Sequence, residues 1–122
     1  LVNVICDTNF LINLATKKIK NLDSINIEIG QLTFIVPDVV IEELKKLQSN
    51  KSKHNDIIQT LEFIKNFKKI QLGGTYADRE ILEYIKENGG IVGTLDKELK
   101  KYVKQANGSI LSLSNNKIVL ES

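Results

Sequence analysis

The chain holds one cysteine, one histidine and one proline in 122 residues. A lone Cys6 excludes an internal disulfide and suits a reducing compartment, so a cytoplasmic protein is expected. Its place at the end of the apolar run Val2-Asn3-Val4-Ile5-Cys6 reads as a buried core thiol rather than a nucleophile. His54 sits in a polar stretch and reads as a surface residue, which leaves serine or cysteine hydrolase chemistry without a base. No apolar run reaches 18 residues, so a spanning helix and a membrane partner are excluded. No charged, then apolar, then small-residue leader opens the chain, so a secretory signal is not expected.

Phosphate-binding loops are missing as well. There is no G-x-x-x-x-G-K-[ST], and no G-x-G-x-x-G follows a strand; Gly73-Gly74 and Gly89-Gly90 read as a turn and a helix end. An aspartyl-phosphate phosphatase would want a second Asp two residues after Asp7, where Asn9 stands. A receiver-like signalling domain lacks its acidic pair. With no Pro- or Ser-rich linker, low-complexity tract or internal repeat, one domain over 1–122 is the reading.

What is present is ordinary globular composition, 42% hydrophobic and 26% charged. A chain of this length buries roughly two-thirds of its unfolded surface. Seventeen basic and fifteen acidic residues leave +2, but the lysines crowd into 17–20, 45–53, 65–69 and 97–104. If the acids converge on one pocket, these lysines form a basic rim around it; otherwise they are solvated helix faces.

Periodicity predicts strands at 2–6, 33–36 and 91–94, a further one at 109–113, a short edge strand at 118–120, and a strand or connector at 69–72. Helices are predicted at 8–16, 21–29 (Leu22, Ile25 and Ile29 at helical spacing), 38–47, 56–67, from Thr75 to Gly89, and 96–105. Asp38 is expected to N-cap its helix by accepting from amides two or three residues on. Strands alternating with helices imply a mainly parallel sheet of four to five strands covered on both faces, a three-layer α/β/α sandwich.

Four acids, Asp7, Glu43, Asp78 and Asp96, fall where this alternation carries them toward one end of the sheet. Ligands of open α/β sheets bind at the carboxyl ends of the strands. Each acid also has an ordinary explanation: Asp7 and Asp96 as helix caps, Asp78 in the field of a helix N-terminus, Glu43 as a solvated helix residue. Together they are costly, since two carboxylates ~4 Å apart repel by about 4 kcal/mol at an effective dielectric of ~20. Protons or a cation must compensate, and oxygen-only ligands suit Mg²⁺ or Mn²⁺ far better than Zn²⁺.

The segment Val4-Ile5-Cys6-Asp7-Thr8-Asn9-Phe10-Leu11-Ile12 resembles the opening motif of the PIN-domain nucleases. Val36-Pro37-Asp38-Val39-Val40-Ile41-Glu42-Glu43-Leu44 is similar to their second motif, Thr75-Tyr76-Ala77-Asp78 to the third, and Thr94-Leu95-Asp96-Lys97-Glu98-Leu99-Lys100 to the fourth. The four come in family order, and Asp96 follows Asp78 by 18 residues, as is usual. The nearest likeness is to archaeal stand-alone PIN proteins and to the PIN domain of small-subunit ribosomal RNA processing factors. Two positions depart from that pattern: Arg79 where relatives often carry a second acid, and Leu95 where they often carry Asn.

The resemblance implies a metal-dependent endoribonuclease that hydrolyses phosphodiester bonds in single-stranded or structured RNA. Asp7, Glu43, Asp78 and Asp96 would be the catalytic, Mg²⁺- or Mn²⁺-holding acids, with no organic cofactor. Asn9 and Thr94 are candidates to orient carboxylates or touch phosphate, against helix-start and strand-end roles, and Glu98 is a candidate outer ligand. Ribosomal RNA processing is the implied role. A toxin ribonuclease with an antitoxin partner, or a non-catalytic RNA-binding or ribosome-assembly module, are the alternatives, and a homodimer stays open.

Overall fold

Val4, Ile5 and Cys6 are buried in succession, as befits a central strand covered on both faces. They belong to β1 (Val2–Cys6), which α1 (Thr8–Thr16) follows directly. The computed structural model describes residues 2–21 and 30–121. The helix expected over 21–29 falls, from Leu22 through its other apolar positions Ile25 and Ile29, outside the described residues. Then come β2 (Leu32–Pro37), α2 (Asp38–Leu47), α3 (His54–Ile64), β3 (Lys68–Ile70), α4 (Ala77–Asn88), β4 (Ile91–Gly93), α5 (Lys97–Gln105), β5 (Ser109–Ser114) and β6 (Lys117–Glu121).

The strands form one sheet in the order β3-β2-β1-β4-β5-β6. All neighbours are parallel except the closing β5–β6 hairpin. Six strands among the described residues exceed the four to five expected. The added strand is Lys68–Ile70, too short and too lysine-rich to show an apolar pattern, yet in parallel register with Ile35, Val36 and Pro37. The hairpin turn uses Asn115 and Asn116 at φ of 52° and 60°, the left-handed pair a tight two-residue loop requires.

From β1 the chain steps outward through β2 to β3, returns to β4 beside β1, and steps the other way to β5. Right-handed crossovers therefore put α1, α2 and α3 on one face and α4 and α5 on the other. The packing agrees: α1 lies against α2 and α3, and α4 against α5, which also rests on β5. The order reverses between β1 and β4, which is where open α/β sheets leave a crevice for ligands.

Close approach at that crevice depends on Gly93. A Cβ there would lie 2.7 Å from the Phe10 ring, so only glycine lets the first turn of α1 press against β4. Several helix boundaries differ from expectation. α3 begins at His54, which is exposed but helical, and ends at Ile64, beyond which Lys69 donates to the carbonyls of Ile64, Lys65 and Phe67. α4 begins at Ala77 rather than Thr75, because Gly73 and Gly74 hold φ of 70° and 77° and Tyr76 is extended.

Asp38 does not cap α2 in the expected manner. Its carboxylate accepts from the next amide, Val39, and from Leu72 and Gly73 across the chain at 2.8 and 3.1 Å. The N-cap position belongs to Pro37, whose apolar ring has no acceptor to offer. Asp38 thus ties the start of α2 to the segment that leads into α4. Among the described residues, no helix is long and apolar enough to cross a membrane.

Candidate active site

Asp7 leaves the carboxyl end of β1 and enters α1, its amide bonded to Gly93 of β4 at 3.0 Å. Oδ1 caps α1 by accepting from the Phe10 amide at 2.9 Å, and Oδ2 accepts from the Thr94 hydroxyl. Thr94 follows β4, is fully buried, and its Oγ1 also accepts from the Asp96 amide at 3.0 Å. Asp96 caps α5 by accepting from Leu99 at 3.0 Å. The capping explanation and the gathering of acids hold together, because each aspartate uses one carboxylate oxygen for its helix.

One pocket of about 170 Å³ is lined by Asp7, Thr8, Asn9, Glu43, Ala77, Asp78 and Asp96. The four acids thus come from the ends of β1 and β4, the second turn of α2 and the first turn of α4. Asp7 is 8% exposed and forms the floor; Glu43 is half-buried, while Asp78 and Asp96 are exposed at the lip. Asn9 reaches the wall, one residue inside α1, where the cap is already Asp7. Glu98 is not brought in. It lines an adjoining hollow together with Asp78 and Asp96. Glu42 points away to solvent, 3.8 Å from Lys45.

Burial pushes the Asp7 carboxyl up to about 6, against the pull of the Thr94 and Phe10 hydrogen bonds. The charges of Asp96 and Glu43 raise it further. Burial, and then the neighbouring Asp7 charge, lift the Cys6 thiol well above the usual range, so it is inert packing as its position suggested.

Thr8 is the residue that sequence reasoning passed over. Its hydroxyl is buried, lines the pocket and has no hydrogen-bond partner among the described residues. Its only sequence signal is its place directly after Asp7. An orphaned buried hydroxyl beside an all-oxygen carboxylate set fits a hydrated, hard divalent cation. The set is gathered rather than closed: among the described residues, no three acidic, histidine or cysteine side chains are disposed to grip one ion as they stand.

Comparison with known proteins identifies the family. Residues 4–116 match the family model described as a PIN like domain. Ribonuclease VapC4 of Methanocaldococcus jannaschii is 32% identical over 123 residues, covering 96% of this chain and 94% of that protein. The PIN domain endonuclease Utp24 superposes with a TM-score of 0.80 at 29% identity, over 98% of this chain and 90% of that one. A domain of a functionally unknown Methanocaldococcus jannaschii protein shares the fold, with a TM-score of 0.62 at 21% identity over 93% of this chain and 92% of its own. With a matching model over nearly its whole length and acids from four separate elements at the sheet's switch point, the chain belongs to the PIN-domain nuclease family.

Proposed function

We propose that the protein is a Mg²⁺- or Mn²⁺-dependent endoribonuclease that hydrolyses phosphodiester bonds in single-stranded RNA. The observation that carries this reading is the buried Asp7 carboxylate, fixed by two hydrogen bonds at the floor of a pocket with three further acids. The names of two relatives support the substrate and the mode, one a ribonuclease and the other an endonuclease.

Asp7, Glu43, Asp78 and Asp96 would hold the cation. When bound, it supplies charge neutralisation at the phosphate and lowers the pKa of water. The chain's own residues do the rest. Thr94 and the Phe10 amide fix both oxygens of Asp7, so the floor of the site needs no reorganisation when substrate arrives. Asp78, exposed at the lip, is the acid free to turn toward an entering strand, while Asp96 keeps one oxygen on the Leu99 amide and presents the other. Basic groups flank the pocket on two sides: Lys53 lines a hollow that shares Asn9 with it, and Arg79 lines one that shares Asp78 and Asp96. That placement guides a phosphate backbone across an acidic centre that would otherwise repel it.

A processing role on ribosomal RNA is the cellular reading we favour, on the likeness of the four motifs to processing-factor PIN domains. The alternative, a toxin ribonuclease, is distinguished by co-purification with a small DNA-binding antitoxin. The direct test is cleavage of single-stranded RNA oligonucleotides in Mn²⁺ or Mg²⁺, with Asp7→Asn as control. Cutting should stop in EDTA and in the variant. Cutting that persists in both would overturn the reading.

A further inference from the structure

Beside the acidic pocket, between α4 and α5, lies a second hollow of about 220 Å³ lined by Asp78, Arg79, Leu82, Asp96, Glu98, Leu99 and Tyr102. Its two aspartates are those of the acidic pocket, so whatever occupies it lies next to whatever is cut. The chemistry of the lining limits the occupant. Three carboxylates against one guanidinium make the interior net negative, which disfavours a phosphate inside it. Leu82 and Leu99 supply apolar wall, Leu99 being buried, and Tyr102 keeps 42% of its surface open. Arg79 stands at the rim, its guanidinium 5.8 Å from the centre of the Tyr76 ring, and Tyr76 is itself 63% exposed.

A flat, uncharged ring with hydrogen-bond donors on its edge meets all of these conditions. Bases of single strands are held by stacking on aromatic faces, and carboxylates accept from exocyclic amines. A uracil offers no such amine, whereas adenine, cytosine and guanine do. Resting on the ribonuclease reading above, we propose that this hollow is the subsite for a nucleobase flanking the scissile phosphate, with Tyr102 as its stacking platform and Glu98 as the acceptor that selects an amine-bearing base. Arg79 then meets the phosphate that joins this nucleotide to its neighbour outside the hollow.

The test uses single-stranded RNA oligonucleotides that vary one base at a time on either side of the cleavage site, with an abasic ribose as the blank. The full chain and Mn²⁺ are used throughout. Wild type should favour A, C or G over U at one flanking position, and the abasic substitution there should raise KM by about tenfold, the scale of losing one stacked base. Tyr102→Ala should raise KM similarly with kcat little changed, and should show no further loss on the abasic substrate. Tyr102→Phe should restore KM, since the ring is kept. Glu98→Gln, which offers a donor as well as an acceptor, should narrow the discrimination against U without changing kcat on the best substrate. If wild type cuts RNA but the Tyr102→Ala and Glu98→Gln proteins keep its KM and base preference, the subsite is overturned while the ribonuclease reading stands. If wild type neither binds nor cuts RNA, both fall.

Discussion

The buried hydroxyl of Thr94 donates to the carboxylate of Asp7, and through the same oxygen it accepts from the amide of Asp96. One side chain thus couples the acid at the end of β1 to the acid after β4, across the point where the strand order reverses. Thr94→Val keeps the shape and removes both interactions. It should lower cleavage by at least tenfold and cost about 1–3 kcal/mol of stability, the usual range when a buried partner is left unsatisfied. Thr94→Ser should retain most of both. Urea denaturation and single-turnover cleavage of RNA measure the two effects; a fully active valine variant would mean that Thr94 only fills space.

Asp7 carries a second consequence, visible in metal-free protein. Its folded pKa of about 6 lies above the ordinary 3.8, so the folded state holds its proton more tightly than the unfolded chain does. The associated stability is full below pH ~4 and is lost as pH rises through about 6. Asp7→Asn keeps the cap to Phe10, since Asn caps as well as Asp, and removes the ionisable group. It also gives up the acceptor of the Thr94 hydroxyl, so the readout is the change with pH: in EDTA its stability should fall less than that of wild type between pH 4 and 7.5, by up to about 3 kcal/mol for a shift of this size. Thermal melts from pH 4 to 7.5 should show a falling wild-type curve and a flatter variant. Parallel curves would show that Asp7 is not the group that titrates.

The strand-helix alternation was legible because apolar runs mark the strands, and Asp7 and Asp96 stood out because each follows such a run closely; Glu43 and Asp78 follow no strand directly and were singled out with the help of the motif resemblance. The strand order was not legible, since nothing local in Ile91–Gly93 says that it lies beside β1 rather than β3. β3 was ambiguous for a related reason. Its two lysines are exposed and only Ile70 is partly covered, so no alternation marks it. Glu98 entered as a candidate outer ligand beside the fourth-motif Asp96. On α5 its offset from Asp96 turns it into the neighbouring hollow instead. The reach of Asp38 was invisible, because its partners Leu72 and Gly73 are backbone amides, and any residue type supplies an amide.

That reach makes Asp38 a positioning residue with its own pH signature. Burial alone would raise its pKa, but the amides of Leu72, Gly73 and Val39 outweigh it and hold the carboxyl below its ordinary 3.8. The stability it contributes is present above the unfolded value and is lost as pH falls through the lower, folded one. Asp38→Ala should release the segment before α4 and with it the placement of Asp78. We expect lower cleavage, weaker stability at pH 7, and a shallower acid-side loss below pH ~4 than in wild type. Hydrogen exchange at the Leu72 and Gly73 amides supplies the structural readout. Unchanged protection there would show that the tie is not held in solution.

Glu42 and Glu43 provide the most discriminating pair, because they are adjacent, chemically identical and aimed differently. Neighbouring residues on an α-helix point about 100° apart. Val39, Val40 and Leu44 face the core, and Glu43, half-buried at the edge of that stripe, lines the pocket and adds its charge to the field at Asp7. Glu42 is exposed and pairs loosely with Lys45 at 3.8 Å, an arrangement worth little in water. Glu43→Gln removes one negative donor from the site while keeping its volume, so turnover should fall by orders of magnitude with the fold intact. Glu42→Gln should change neither turnover nor the melting temperature beyond a degree or two. The comparison is made on the same RNA at saturating Mn²⁺, with circular dichroism to confirm folding. Equal losses, or a larger loss at Glu42, would mean that the register of α2 against the pocket is wrong.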